Sequence, residues 1–279
     1  MPLTSMPTVI LAVIAFCASA YHFLIYIRRS TRRVDLTFSL TCLTIGFYDL
    51  FCAGLYAAPS PDVGVAWQQS QMLALTLMAI AFVWFISDYT GRPIRPVVYG
   101  LTLFYLLLIL FNLVTQYQWA WTRQPFIKTV NLPWGDLTYQ EMKSGPSTGL
   151  LSLSGVFVFM YAAVLIRRLW IQGDRRRGGP LMLGAIAFFL GVFNDTAISQ
   201  GLYSGVYLIE YSFLALILVM EWGVIGSVIR TAALEDSMRR SETMFRNYFR
   251  LGVNGMAIIG PDRHWLEVNR RFCDLLGYF

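Results

Sequence analysis

The sequence predicts an all-α membrane protein: a seven-transmembrane helix bundle, then a cytoplasmic signalling helix and an incomplete α/β fragment. Three observations carry that prediction. The 279 residues are 56% hydrophobic and only 14% charged, with a mean hydropathy of +0.54; soluble domains run roughly 45–50% apolar and about 25% charged. The apolar residues gather into seven blocks, each long enough at 1.5 Å per residue to cross a hydrocarbon core about 30 Å thick. The basic residues lie between those blocks and are spread unevenly from loop to loop. A water-soluble fold and a disordered chain are both excluded. The placement of the basic residues, despite a net charge of +6, argues for a lipid bilayer as partner and against nucleic acid.

The blocks are 7–27, 35–58, 66–88, 97–118, 149–171, 180–200 and 206–229. No basic stretch precedes the first, so it does not read as a cleaved signal peptide. Arg28, Arg29, Arg32 and Arg33 follow it. Arg92 and Arg95 follow the third block, and Arg167, Arg168, Arg175, Arg176 and Arg177 follow the fifth. The opposite loops hold only Arg123, Lys128 and Lys143, and the remaining basic residues all follow the seventh block. The positive-inside rule then puts the N-terminus outside and the C-terminus in the cytoplasm of a multi-pass inner-membrane protein. That arrangement requires an odd number of crossings. The external segment Trp119 to Thr148 carries Trp119, Trp121 and Trp134. It reads either as an interfacial aromatic belt or as a small lid over an outward-facing cavity.

Ionisable groups inside hydrocarbon are costly and are candidate functional residues by default. Asp49, Asp195 and Glu210 fall in the outer half of blocks two, six and seven, and Asn112 and Asn194 sit at similar depth. Tyr48, Tyr207 and Tyr211 flank the acids, and no Lys or Arg lies in that layer. Two readings stand. The carboxylates line a pocket for a small cationic or amine ligand, with aromatic rings adding cation–π attraction, or they are bonded to neighbours and hold helices together. The inner half contains His22, Asp88 and Glu221. A His–acid pair there either registers pH or is a hydrogen-bonded contact within the bundle. Gly184, Gly191 and Gly201 permit close helix approach. The four cysteines include no CxxC pair and no metal-ligand spacing, so neither disulfide scaffold, metal nor cofactor is implied.

The chain divides into a membrane region, 1–229, a linker helix, 230–249, and a final segment, 250–279. In the linker, Leu234, Met238, Phe245 and Phe249 recur at helical spacings on one face, with the hydrophobe expected near Ser241 missing. Glu221 and Trp222 stand where block seven meets this helix, placed to transmit movement. Met256–Ile259 and Trp265–Val268 read as strands about a Gly-Pro turn, and Asn269–Leu276 as a short helix ended by Gly277.

That tail resembles the opening of a PAS domain. The resemblance rests on Ser241-Glu242, Phe245-Arg246, Phe249, Gly255 to Ile259, Pro261-Asp262, Val268-Asn269, Phe272 and Leu275-Leu276-Gly277-Tyr278. It covers only the first third of such a domain, and the sequence is therefore read as a piece of a longer protein. Taken with the tail, the membrane half resembles the seven-helix input region of bacterial sensor proteins, in which PAS domains and then a histidine kinase or a diguanylate cyclase follow. The resemblance implies a non-catalytic sensory module, downstream signalling domains and a homodimer joined through the cytoplasmic helix. Rival seven-helix functions fare worse. A retinal protein needs a lysine in its last helix, and both lysines are in one loop. A haem protein needs paired axial ligands, and His22 is alone among the blocks. A secondary transporter or small-solute carrier using Asp49, Asp195 and Glu210 remains the alternative, without the internal repeat or broken helices such folds show.

Overall fold

The computed structural model describes residues 5–28, 33–132 and 135–278; Arg29, Arg32 and Trp134 lie outside them. Each apolar block folds as a helix because the run satisfies its own backbone hydrogen bonds, a condition hydrocarbon imposes. In chain order these are α1 (Met6–Arg28), α2 (Arg33–Tyr56), α3 (Pro61–Thr90), α4 (Arg95–Val114), α5 (Pro146–Ile171), α6 (Arg175–Ser199) and α7 (Ile209–Leu251). Among the described residues, α1 to α6 are each long and apolar enough to cross a membrane. The seventh apolar block forms the first half of α7. Wide apolar faces point outward, as on α4, where Leu103, Leu106, Leu107 and Leu110 are exposed.

Ends of helices follow local chemistry. Four helices carry proline in the first turn, α1 (Pro7), α3 after the extended Ser60, α4 (Pro96) and α5 after the extended Gly145. There the missing N–H costs nothing. Pro61 starts α3 five residues before the apolar block begins. Asp174 caps α6 by accepting from the Arg177 N–H at 3.2 Å. Helix α4 stops at Val114 because Gln116 and Tyr117 take left-handed φ of 50° and 59°, and the Tyr117 N–H turns back to the Asn112 carbonyl at 2.7 Å. Gly201 lies past the end of α6 with φ of +73°, so its role is to end the helix rather than to pack against one. Gly191 does allow close approach: a Cβ there would meet the Ser212 Oγ of α7 at 2.1 Å.

The all-α expectation needs one correction. The segment between α4 and α5, read from sequence as an aromatic belt or a small lid, has regular structure of its own. It is an antiparallel hairpin, β1 (Trp121–Leu132) and β2 (Gly135–Ser144), with Phe126 opposite Glu141 and Lys128 opposite Tyr139. One face is buried and consists of Lys128, Leu137, Tyr139 and Glu141, whereas Ile127 on the other face is 56% exposed. A buried face that includes a lysine and a glutamate breaks the apolar–polar alternation by which a strand is read from sequence.

Contacts with α3 and α5 help fix the hairpin to the bundle. The Gln68 side chain of α3 accepts from the Met142 N–H at 3.0 Å. Gly64 of α3 lies so close beneath β2 that an added Cβ would fall 1.7 Å from the Gln140 carbonyl oxygen. Thr148 of α5 donates to the Ala120 carbonyl at 2.6 Å.

The chain divides into two compact units, residues 1–223 and 224–279. The second contains the end of α7, the strands β3 (Ala257–Ile259) and β4 (Trp265–Val268), and α8 (Arg270–Leu276). Asn269, 2% exposed, organises it. Its Oδ1 accepts from the Met256 N–H at 2.8 Å and the Phe272 N–H at 2.9 Å. Its amide donates to the Phe249 and Asn254 carbonyls, each at 2.9 Å. One side chain thus caps α8 and ties the hairpin to the end of α7. Leu234, Met238 and Phe245 are exposed on α7.

Candidate ligand-binding cavity

A cavity of about 190 Å³ lies under the hairpin, walled by α2, α3, α5, α6 and the start of α7. The wall is largely apolar and aromatic, with Phe82, Val158, Phe188 and Phe189 toward the middle of the bundle and Tyr48, Tyr56, Trp121 and Tyr207 toward the hairpin. Three carboxyl groups line it: Glu141 from β2, Asp195 from α6 and Glu210 from the first turn of α7.

The three acids differ in what already binds them. Asp195 Oδ1 accepts from the Leu208 N–H at 2.7 Å and from the Asn194 amide at 2.8 Å, and its Oδ2 accepts from the Ile209 N–H at 3.2 Å. It therefore caps the N-terminus of α7, where free backbone N–H groups and the helix dipole favour a carboxylate. Glu141, 4% exposed, faces Lys128 Nζ at 3.0 Å and accepts from the Tyr207 hydroxyl at 2.9 Å. Burial pushes its carboxyl above the ordinary value, against the pull of the Lys128 ammonium. Burial likewise pushes the neighbouring Tyr139 phenol up, which keeps it neutral. Lys128 Nζ also donates to the Tyr207 hydroxyl at 2.6 Å and sits 4.4 Å from the centre of the Phe126 ring. Its charge is thus consumed within the hairpin.

Glu210 is different. It is 1% exposed; its Oε1 accepts from the Tyr56 hydroxyl, while its Oε2 is buried outside hydrogen-bond geometry, with the Cys52 thiol beside the carboxyl. The Trp121 indole N–H is buried and unpartnered as well. A carboxyl oxygen and an indole N–H, both without a hydrogen bond in one aromatic chamber, suit a small amine or other cation carrying an apolar body, because buried polar atoms are otherwise paired and aromatic faces attract cations.

The structure brings Tyr48, Asp195, Tyr207 and Glu210 to this cavity. Asp49 stands behind the wall, 1% exposed with Oδ1 unpartnered, within electrostatic reach of Glu210. Asn112 is elsewhere: it accepts from the Ser147 hydroxyl at 2.6 Å and joins α4 to α5. Tyr211, 46% exposed, faces out from the bundle. Glu141 and Trp121 were not legible as site residues, because their position depends on the hairpin folding back over the bundle, and Gln68 of α3 and Tyr56 of α2 gain their role from the groups it brings to them. At the opposite end of the same unit, Glu221 contacts His22, while Trp222 is 82% exposed.

Six apolar spans around a chamber lined by aromatic and carboxyl groups, among the described residues, define a membrane-embedded helix bundle with a ligand-sized cavity. Residues 7–228 match the family model of the N-terminal 7TM region of histidine kinases, and the chain belongs to that family. None of the curated proteins compared with it matches.

Proposed function

We propose that this input region receives a small cationic ligand in the cavity beneath the hairpin and passes the signal along α7. In this reading the N-terminus and hairpin face the exterior and the C-terminus the cytoplasm. The seventh apolar block is the seventh crossing. Segment 250–279 is the start of a PAS domain that feeds a histidine kinase or diguanylate cyclase. The observation that carries the reading is the position of Glu210. It is both a cavity wall and a first-turn residue of α7, so charge compensation at its Oε2 acts on the helix that leaves the bundle. From there Glu221 and Trp222, then Leu234, Met238 and Phe245, lie along the route, and the exposed apolar face of those last three suits pairing with a second copy. A ligand shifts the helix only if it binds its two positions unequally.

The test is binding of a set of primary and quaternary ammonium compounds to the chain in lipid nanodiscs, read by tryptophan fluorescence. Glu210→Gln keeps the acceptor for Tyr56 and removes the charge, and the expected result is a tenfold or greater loss of affinity. Asp195→Asn is the poorer probe because it also replaces the Oδ2 acceptor of the Ile209 N–H at the start of α7. Equal affinity in Glu210→Gln refutes the site. Ammonium-driven uptake into proteoliposomes would favour the transporter instead.

A further inference from the structure

We propose that His22, Asp35 and Glu221 form a proton-binding site that joins α1, α2 and α7, separate from the cavity. The three residues come from distant parts of the sequence: near the end of α1, in the first turn of α2 and in the first third of α7. His22 Nδ1 lies 3.0 Å from Asp35 Oδ1, and His22 Nε2 lies 3.2 Å from Glu221 Oε2. The histidine is 0% and Asp35 is 1% exposed, while the Glu221 side chain is 18% exposed. The Tyr21 ring meets the imidazole edge-on at 5.2 Å, as does the Phe38 ring at 4.8 Å. Ser19 and Ser39, 3.2 Å apart, close the same α1–α2 seam.

A neutral imidazole has one N–H and one lone pair. Here both ring nitrogens face carboxylate oxygens, which only accept. With Nδ1–H donated to Asp35, a neutral ring would set the Nε2 lone pair against Glu221 at 3.2 Å. An added proton turns that contact into an attraction, and since an imidazole is more basic than a carboxylate the proton belongs on the ring. The two arms are unequal. The Asp35 contact is an aligned hydrogen bond, whereas the Nε2–Glu221 approach has ion-pair distance without hydrogen-bond alignment. Glu221 is also the partner open to exchange. Loss of the proton therefore weakens the α1–α7 arm and leaves α1 on α2. Among the described residues, the other titratable groups facing the cluster are Tyr21 on α1 and the buried Cys42 thiol of α2, which lies toward Glu221. Glu221 and Glu210 are eleven residues apart on one helix, about 16 Å along its axis. The proton site and the cavity thus bear on the same element at different levels.

The sequence has two histidines, so His264→Gln leaves His22 as the only imidazole. The test is ¹⁵N-histidine NMR of that full chain in nanodiscs. At pH 7 both ring nitrogens of His22 are expected to carry protons. Glu221→Gln and Asp35→Asn each remove a stabilising anion and are expected to move the titration midpoint at least one pH unit lower, a tenfold or greater rise in the ratio of neutral to protonated imidazole at fixed pH. A His22 whose Nε2 is unprotonated at pH 7 overturns the proposal. So does a midpoint that Glu221→Gln leaves in place. Should Glu221→Gln fail to fold, Glu221→Asp, which keeps the charge and shortens its reach, is expected to give a smaller downward move; no move refutes the site.

Discussion

Replacing Lys128 with methionine tests the most exposed assumption about the hairpin, that a buried ion pair holds it shut. At 3.0 Å and an effective dielectric near 20, the Lys128–Glu141 attraction is about 5–6 kcal/mol. Desolvating the two ions cancels much of that, so the pair as a whole is close to neutral against an apolar pair. Removing one partner is another matter. Lys128→Met fills similar volume but leaves the Glu141 carboxylate buried with only the Tyr207 hydroxyl, a cost of about 3–5 kcal/mol. Backbone hydrogen exchange on β1 and β2 reads this directly, because 3–5 kcal/mol speeds local opening roughly 100- to 4,000-fold. The double variant Lys128→Met/Glu141→Gln is expected to recover most of the protection. The effect has a definite pH sign. Burial holds the Glu141 carboxyl above its ordinary value of 4.5, so the folded hairpin prefers the protonated form. The stability this contributes is full below about pH 4.5 and is lost as pH rises through the elevated value. Without the lysine that value climbs further, and the penalty should be large at pH 8 and small near pH 4.5. A less than tenfold change in exchange at pH 8, or a penalty independent of pH, refutes the reasoning.

Three further outcomes follow from the same geometry. Gly191→Ala puts a methyl 2.1 Å from Ser212 Oγ and 3.2 Å from Ile209 Cα, so α6 and α7 must separate, at about 1–3 kcal/mol; a fall in the thermal midpoint that Ser212→Ala partly relieves is expected. Gly64→Ala drives a methyl into the Gln140 carbonyl and should lift β2 from α3, read as faster amide exchange of Met142 with α5 unaffected. Asn269→Ala removes four hydrogen bonds from the second unit. At about 1 kcal/mol each, it should make residues 252–278 protease-sensitive while residues 5–223 stay intact.

The helices were readable without tertiary information because the bilayer imposes a local rule. A span must be apolar for about twenty consecutive residues and must satisfy its own backbone, and both conditions are visible in the sequence from Met6 to Ile229. The short helix from Asn269 was readable for a similar reason, since the Phe272 N–H that its cap accepts lies three residues on. The hairpin was not, because Lys128 and Glu141 look like surface residues until each is seen to neutralise the other. Nor was the division of labour among the acids. Sequence placed Asp49, Asp195 and Glu210 at one depth. Only packing made Asp195 a helix cap, set Asp49 behind the wall and left Glu210 Oε2 outside hydrogen-bond geometry. His22, Asp35 and Glu221 span two hundred residues of chain, and their meeting follows from which helix faces which. A hydrocarbon solvent fixes which segments are helices, but it does not distinguish one apolar face from another; side-chain shape and the pairing of a few buried charges decide the arrangement.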